Sequence, residues 1–526
     1  MLGPIGLALS GGGFRASAFH LGALDYLQHL GRLSSLHVLS TVSGGTFTGA
    51  RFTLSLVRRQ GFEDFFRIFY GELRDVDLVA RGLGELGRRT SKVPSRRRDL
   101  IVALAEVYSE TFFAHEGGAW TFAEVLDADL PVETIVFNAT EFRTGIAFRF
   151  QRSPRGKIGN GNIEVPRDAA GLIRVADIVA ASSCFPGGFE PLAFPQDFSW
   201  PDGKVPAALT GGRFKDPVPL MDGGVYDNQG TESLLLADSR EGGELGQLII
   251  SDVDQKSDDL FPFPRQKSVG LLGGLSLRAV AFMSWTLMLA CAVTVASLAA
   301  ELWRDGLRWP WGLFTQLIPM LLALAVAYGL RVVRRELLGR ALELVPRVGR
   351  RAWKDFRRIT VDQLVDMVWL RLRSVVSLTA SIFMKRIRAL GYKQLFQDEK
   401  YKLRRVSNLV YHLQSSEPFA TILEGHVPSP SPALRRVADA GASMPTALWF
   451  QPEKPWQLPS LVASGQATLC YNLMKQVVRL HGGDPAQYPR DVGVLWERLV
   501  ADWRGFQDQP YGLLKNRDLG ELIEPP

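Results

Sequence analysis

Two short apolar runs constrain the fold of this chain more than any other feature, because each ends in a turn of small residues and leads into a helix-forming stretch. Ile5–Leu9 runs into Ser10-Gly11-Gly12-Gly13, after which Ala18, Phe19, Leu21, Leu24, Leu27 and Leu30 recur at helical spacing. Leu36–Val42 runs into Ser43-Gly44-Gly45 and then into Thr46–Val57, a segment compatible with a helix. Strand, helix, strand in that order predicts a right-handed β-α-β unit with parallel strands. Both glycine turns then fall at the carboxyl ends of strands in one sheet, the edge where open α/β sheets bind ligands.

Each turn has its own chemistry. The first opens a helix, so its N–H groups point outward and the helix dipole favours negative charge. A phosphate or the oxyanion of an acyl-transfer intermediate suits such a place. The turn lacks both the Lys-Ser/Thr of a P-loop and the spaced glycines of a dinucleotide fingerprint. In the second turn, a buried strand passing sharply into a helix is the context that exposes a serine nucleophile, here Ser43.

A serine nucleophile needs a base. None of the seven histidines has a persuasive setting, and they read as surface or helix residues. Asp222, in Pro219-Leu220-Met221-Asp222-Gly223-Gly224, stands at the tip of a strand entering a tight turn and can serve if it reaches Ser43. Asp202-Gly203 is a rival, but it lies among prolines and precedes Lys204. Further core strands are expected at Thr134–Thr140, with Gly145–Phe150 as hairpin partner, and at Leu248–Asp252. Cys184, Cys291 and Cys470 are far apart and form no metal pattern, which predicts a reducing compartment, no disulfide, no metal and no cofactor.

The composition then changes. Ala279–Ala300 and Trp309–Leu330 contain no charged residue, and each is long enough to cross a hydrocarbon core of about 30 Å. With Glu301–Arg308 as a short polar loop, they predict a transmembrane helical hairpin. Arg265, Lys267 and Arg278 precede it, and a dense basic series from Arg331 to Arg358 follows. The positive-inside rule therefore places both flanks in the cytoplasm. This basic segment accounts for much of the net charge of +7 and suits anionic headgroups better than nucleic acid, for which no motif is present. Ala80–Asp99 reads as a basic solvated loop, Val361–His412 as an apolar-basic helical stretch, and Gly482–Pro526 as a polar, loop-rich tail.

Taken together, the motifs resemble the patatin-like lipid acyl hydrolases and the related catalytic domains of cytosolic phospholipase A2. The matching pieces are Gly11-Gly12-Gly13-Phe14-Arg15, Ser43-Gly44-Gly45 and Asp222-Gly223-Gly224, in that order, with Asn138-Ala139-Thr140 and Ala181-Ser182-Ser183 as support. The resemblance implies a three-layer α/β/α domain with a mostly parallel central sheet, interrupted here by the inserted hairpin. It implies Ser43 as nucleophile and Asp222 as base of a Ser-Asp dyad. It also implies an oxyanion hole at Gly11, Gly12 and Gly13, with Arg15 holding that loop and Gly44, Gly45, Gly223 and Gly224 shaping the turns. The expected organisation is a main catalytic part over 1–264, a membrane insertion over 265–376, a helical return over 377–480 and a tail over 481–526. The expected activity is hydrolysis of acyl esters of phospholipids or other lipids, by an integral membrane protein with its catalytic domain on the cytoplasmic side. Membrane lipids would be both substrate and anchor. One position departs from the family's Gly-x-Ser-x-Gly elbow: Thr41 replaces the first glycine. That departure favours the alternative of an inactive membrane scaffold that binds lipid or a protein partner.

Overall fold

The computed structural model describes residues 3–87, 97, 99–240, 242–254, 274–305, 318–329, 331 and 358–526. They fall into two compact units, Met1–Leu260 with Leu378–Pro526, and Phe261–Ser377.

The first unit is built on a sheet that starts with strand β1 (Ile5–Leu9), helix α1 (Gly13–His29), strand β2 (Leu36–Val42) and helix α2 (Gly44–Val57). β1 pairs in parallel with β2 on one side and with strand Gln247–Asp252 on the other. β2 continues in parallel to Thr134–Glu141, and Gln247–Asp252 to Arg405–Leu409. Antiparallel pairing enters only beyond Thr134–Glu141, with Ile146–Arg152, Val218–Asp222 and Leu192–Phe194. The central strands are buried on both faces, as parallel strands covered by helices must be. Ile5, Leu7, Leu9 and Leu39 join the large core shared with α1 and α2. Ala8, Val38, Leu248 and Ile250 face the other way, against Leu234 and Leu235 of helix Thr231–Arg240. The sheet therefore has a core on each side, and the expected α/β fold with a mostly parallel sheet is present.

Several boundaries differ from the sequence reading. The expected loop from Ala80 is helical over Leu78–Leu86, because Asp77 caps it by accepting from Ala80 N–H at 2.9 Å. Residues 88–96 and 98 lie outside the described residues. The tail is not loop-rich throughout: helix Arg490–Asp508 buries Trp496, Leu499 and Trp503. Its partner, helix Gln457–His481, crosses α1 closely, since a Cβ on Gly22 would lie 2.0 Å from Val462 O. Within the apolar-basic stretch after Val361, Arg405–Leu409 is an edge strand of the sheet rather than helix.

In the second unit, helix Leu277–Asp305 runs through Glu301–Asp305, where a loop was expected, because nothing in that sequence breaks a helix. Its segment Leu277–Ala300 is long and apolar enough to cross a membrane. Of the second apolar run, Ile318–Gly329 is described and is an apolar helix. Cys291 Sγ lies 3.8 Å from Met320 O, so these two helices touch. Residues 309–317 and most of the basic segment 331–358 lie outside the described residues.

Candidate active site

Strand register explains how residues 179 positions apart come together. β2 runs along Thr134–Glu141 with Val42 opposite Asn138, so the next residue, Ser43, falls beside Ala139. Val218–Asp222 runs antiparallel along the same strand and places Asp222 opposite Ala139 as well. The two strands thus meet end to end, with the serine and the aspartate at the junction.

Ser43 has φ +50° and ψ −118°, a conformation that residues other than glycine rarely adopt. The turn is held from several sides. Ser43 N–H donates to Ser182 Oγ at 3.0 Å, and Ser182 Oγ donates to Asn138 O at 2.6 Å. Asn138 Nδ2 donates to Ser40 Oγ and to Thr41 O, each at 3.0 Å. A Cβ on Gly44 would lie 2.1 Å from Gly13 O, so only glycine lets the two turns approach this closely. Gly45 N–H donates to Ser10 O at 3.1 Å and ties them together.

Asp222 is 2% exposed, and Ser43 is 8% exposed. The carboxylate accepts from Gly224 N–H at 2.7 Å. Burial raises its pKa from the ordinary 3.8 to about 6, against the opposing pull of the nearby Ser43 side chain, the Gly224 N–H and the Arg388 charge. The result is a carboxylate with a pKa near 6 beside a buried serine at the tip of a strained turn. Asp202, the rival, lies on an exposed turn outside this group.

The first glycine turn narrows the expected donor set. Gly11 N–H is already committed to Asn228 O at 2.9 Å, so it is not free to bind an oxyanion. The N–H groups of Gly12 and Gly13 have no partner among the described residues, and neither does that of Gly44. Gly12 and Gly13 reach this geometry through φ +148° and +60°. Arg15 does brace the turn, through Met444 O at 2.9 Å and Thr446 Oγ1 at 3.3 Å, and Phe14 N–H donates to Ala447 O at 2.8 Å.

Thr41 is accommodated by a glycine on the helix that follows the elbow. A Cβ on Gly49 would lie 2.4 Å from Thr41 Cγ2, so α2 passes the threonine methyl at a residue with no side chain. Thr41 Oγ1 is satisfied by Thr46 Oγ1 at 3.1 Å and Val136 O at 3.3 Å.

Three residues here escaped the sequence reading. Ser182 was legible only as part of a supporting segment. His20 is buried rather than on the surface: its Nε2 bonds Ser10 O at 3.0 Å and its Nδ1 bonds Ser251 Oγ at 2.9 Å. Since a carbonyl only accepts, Nε2 carries the proton and Ser251 donates to Nδ1. Burial lowers its pKa to about 4, so it is a neutral strut under the glycine turn. Arg388, from helix Met384–Gln397, donates to Asp254 Oδ1 at 2.7 Å and lies 3.6 Å from Asp252. Oriented to accept, the Asn228 carboxamide oxygen lies 3.0 Å from Arg388 Nε. The cation therefore supports the residue that holds Gly11.

Residues 7–235 match the family model of patatin-like phospholipase. Over those residues the chain is similar to patatin-like phospholipases. All of the turns above except the Arg388 cluster and the Met444–Ala447 brace lie within that range. Among solved structures, human GIVD cytosolic phospholipase A2, in complex with methyl gamma-linolenyl fluorophosphonate and terbium chloride, is similar at 16% identity with a TM-score of 0.30. The similarity covers 51% of this chain and 45% of that one, so this chain matches less than half of that protein's length. VipD from Legionella pneumophila is similar at 11% identity over 96% of this chain and 93% of that one, with a TM-score of 0.25. No curated protein matches the sequence.

Proposed function

We propose that this protein is a membrane-anchored serine hydrolase that cleaves acyl esters of phospholipids or other lipids through Ser43 and Asp222. The observation that carries the proposal is the strand register that sets Ser43, in its strained turn, and the buried Asp222 carboxylate both beside Ala139, with burial raising the Asp222 pKa to about 6. Such a carboxylate is ionised at neutral pH and still basic enough to take a proton. Ser43 Oγ would attack the acyl carbonyl as its proton passes to Asp222. The free N–H groups of Gly12, Gly13 and Gly44 are the candidates to bind the developing oxyanion. On collapse, Asp222 would return the proton to the departing alkoxide. Water, deprotonated by the same carboxylate, would then release the acyl group from Ser43.

Anchoring is supported by Leu277–Ala300, 24 residues or about 36 Å of helix. Phe282, Trp285, Leu289 and Val293 are exposed along it, as side chains facing lipid would be. The second apolar run would complete a hairpin, and the basic residues on both flanks favour a cytoplasmic catalytic domain. Tethering would raise the effective concentration of enzyme at a lipid surface without altering the chemistry. The test is fatty-acid release from phospholipid vesicles by the purified full chain. Wild type is expected to release free fatty acid and Ser43→Ala to release none above background. Equal release by both would refute the assignment.

A further inference from the structure

The edge strand Arg405–Leu409 forms one wall of a cavity of about 380 Å3, and helices Met384–Gln397 and Gln457–His481 supply the rest. No carboxylate lines it among the described residues. Lys475 and Arg479 do, one helical turn apart and so on one face of their helix, and Arg405 joins them from the strand. Lys475 Nζ lies 5.1 Å from the Tyr471 ring centre, and Arg479 Nη1 reaches Gln476 Oε1 at 3.2 Å. Neither cation has a carboxylate partner among the described residues. Burial, and then the Arg479 charge, hold Lys475 and Arg405 below their ordinary pKa values, with Glu399 pulling Arg405 the other way.

Three residues that line the cavity also carry a buried polar atom with no hydrogen-bond partner among the described residues: Tyr392 Oη, His412 Nδ1 and Arg405 Nε. Folded proteins rarely leave such groups unpaired, and ordered water or the polar group of a bound molecule satisfies them. Phe396, Val406 and Leu409 supply an apolar wall beside them. We propose that this cavity is a binding site, separate from Ser43, for an anionic amphiphile. Its carboxylate or phosphate head lies between Lys475 and Arg479, and its chain runs along Phe396, Val406 and Leu409. Tyr392 stands one turn after Arg388 on the same helix, so an occupant touches the element that supports Asn228 and Gly11.

The test is calorimetric titration of the full chain in nonionic detergent with octanoate, octyl phosphate and inorganic phosphate. Lys475→Met and Arg479→Gln are compared with wild type, and melting temperatures confirm that each variant is folded. Saturable binding of octanoate or octyl phosphate, weakened at least tenfold in both variants, is expected. The tighter of the two assigns the head as carboxylate or phosphate, and hence a free fatty acid or a phospholipid headgroup as its source. Inorganic phosphate bound as tightly as either amphiphile would make this a free-anion site and overturn the proposal. Absent binding, or binding unchanged in both variants, would overturn it too. The readout needs no hydrolysis, so it stands apart from the assignment of Ser43.

Discussion

Replacing Asp222 with asparagine is expected to abolish hydrolysis and, above pH 6, to make the protein more stable. Asparagine fits the site: its carbonyl oxygen keeps the bond from Gly224 N–H, and its amide faces Ser43 Oγ, which can accept. What it removes is a buried negative charge. Because burial raises the folded-state pKa from 3.8 to about 6, Asp222 itself opposes folding least below pH 3.8, where it is protonated in both states. That advantage is lost as pH rises through about 6. A displacement of about two pH units corresponds to roughly 3 kcal/mol at pH 8. At pH 5 the unfolded carboxyl is mostly ionised and the folded one mostly protonated, so about half of the difference remains. Urea denaturation of wild type and Asp222→Asn in nonionic detergent at pH 5 and pH 8 measures the gap. A stability gain that grows with pH is expected. A variant less stable than wild type at pH 8, or a gap independent of pH, would refute the view of Asp222 as a carboxylate held against burial.

The same group sets the pH dependence of turnover: since the ionised form is the base, kcat/KM for a soluble ester is expected to fall tenfold per pH unit below about pH 6. Arg388→Met, which removes a charge that favours the carboxylate, is expected to move that limb to higher pH. Gly49→Ala would drive a Cβ to within 2.4 Å of Thr41 Cγ2, so it is expected to destabilise the elbow by about 1–3 kcal/mol and lower activity. Thr41→Ser in the same chain removes that methyl while keeping the hydroxyl, and is expected to recover most of the loss in a double-mutant cycle.

How far the sequence could be read depended on whether a signal was local. β1, β2 and their glycine turns were legible because apolar runs and small-residue turns are short-range patterns. Ser43 and Asp222 were legible as turn residues, but their junction rests on a shared register with Ala139, which no local pattern encodes. Gly11 was grouped with Gly12 and Gly13 because composition does not say which N–H is already committed to Asn228. Arg388 and the strand Arg405–Leu409 were hidden in a stretch whose apolar and basic residues alternate at helical spacing. Their roles depend on Asp252, Asp254 and the sheet edge, which are distant in sequence. Thr41 looked like a defect of the elbow because its compensation, Gly49, lies eight residues away on the next element.

The most direct measurement of the central claim is covalent labelling of the full-length protein with a fluorophosphonate, followed by peptide mass spectrometry. An activated serine is phosphonylated where ordinary serines are not. A single adduct on Ser43 is expected in wild type, none in Ser43→Ala, and a labelling rate reduced at least a hundredfold in Asp222→Asn. Labelling that misses Ser43, or proceeds at the same rate without the Asp222 carboxylate, would contradict the account.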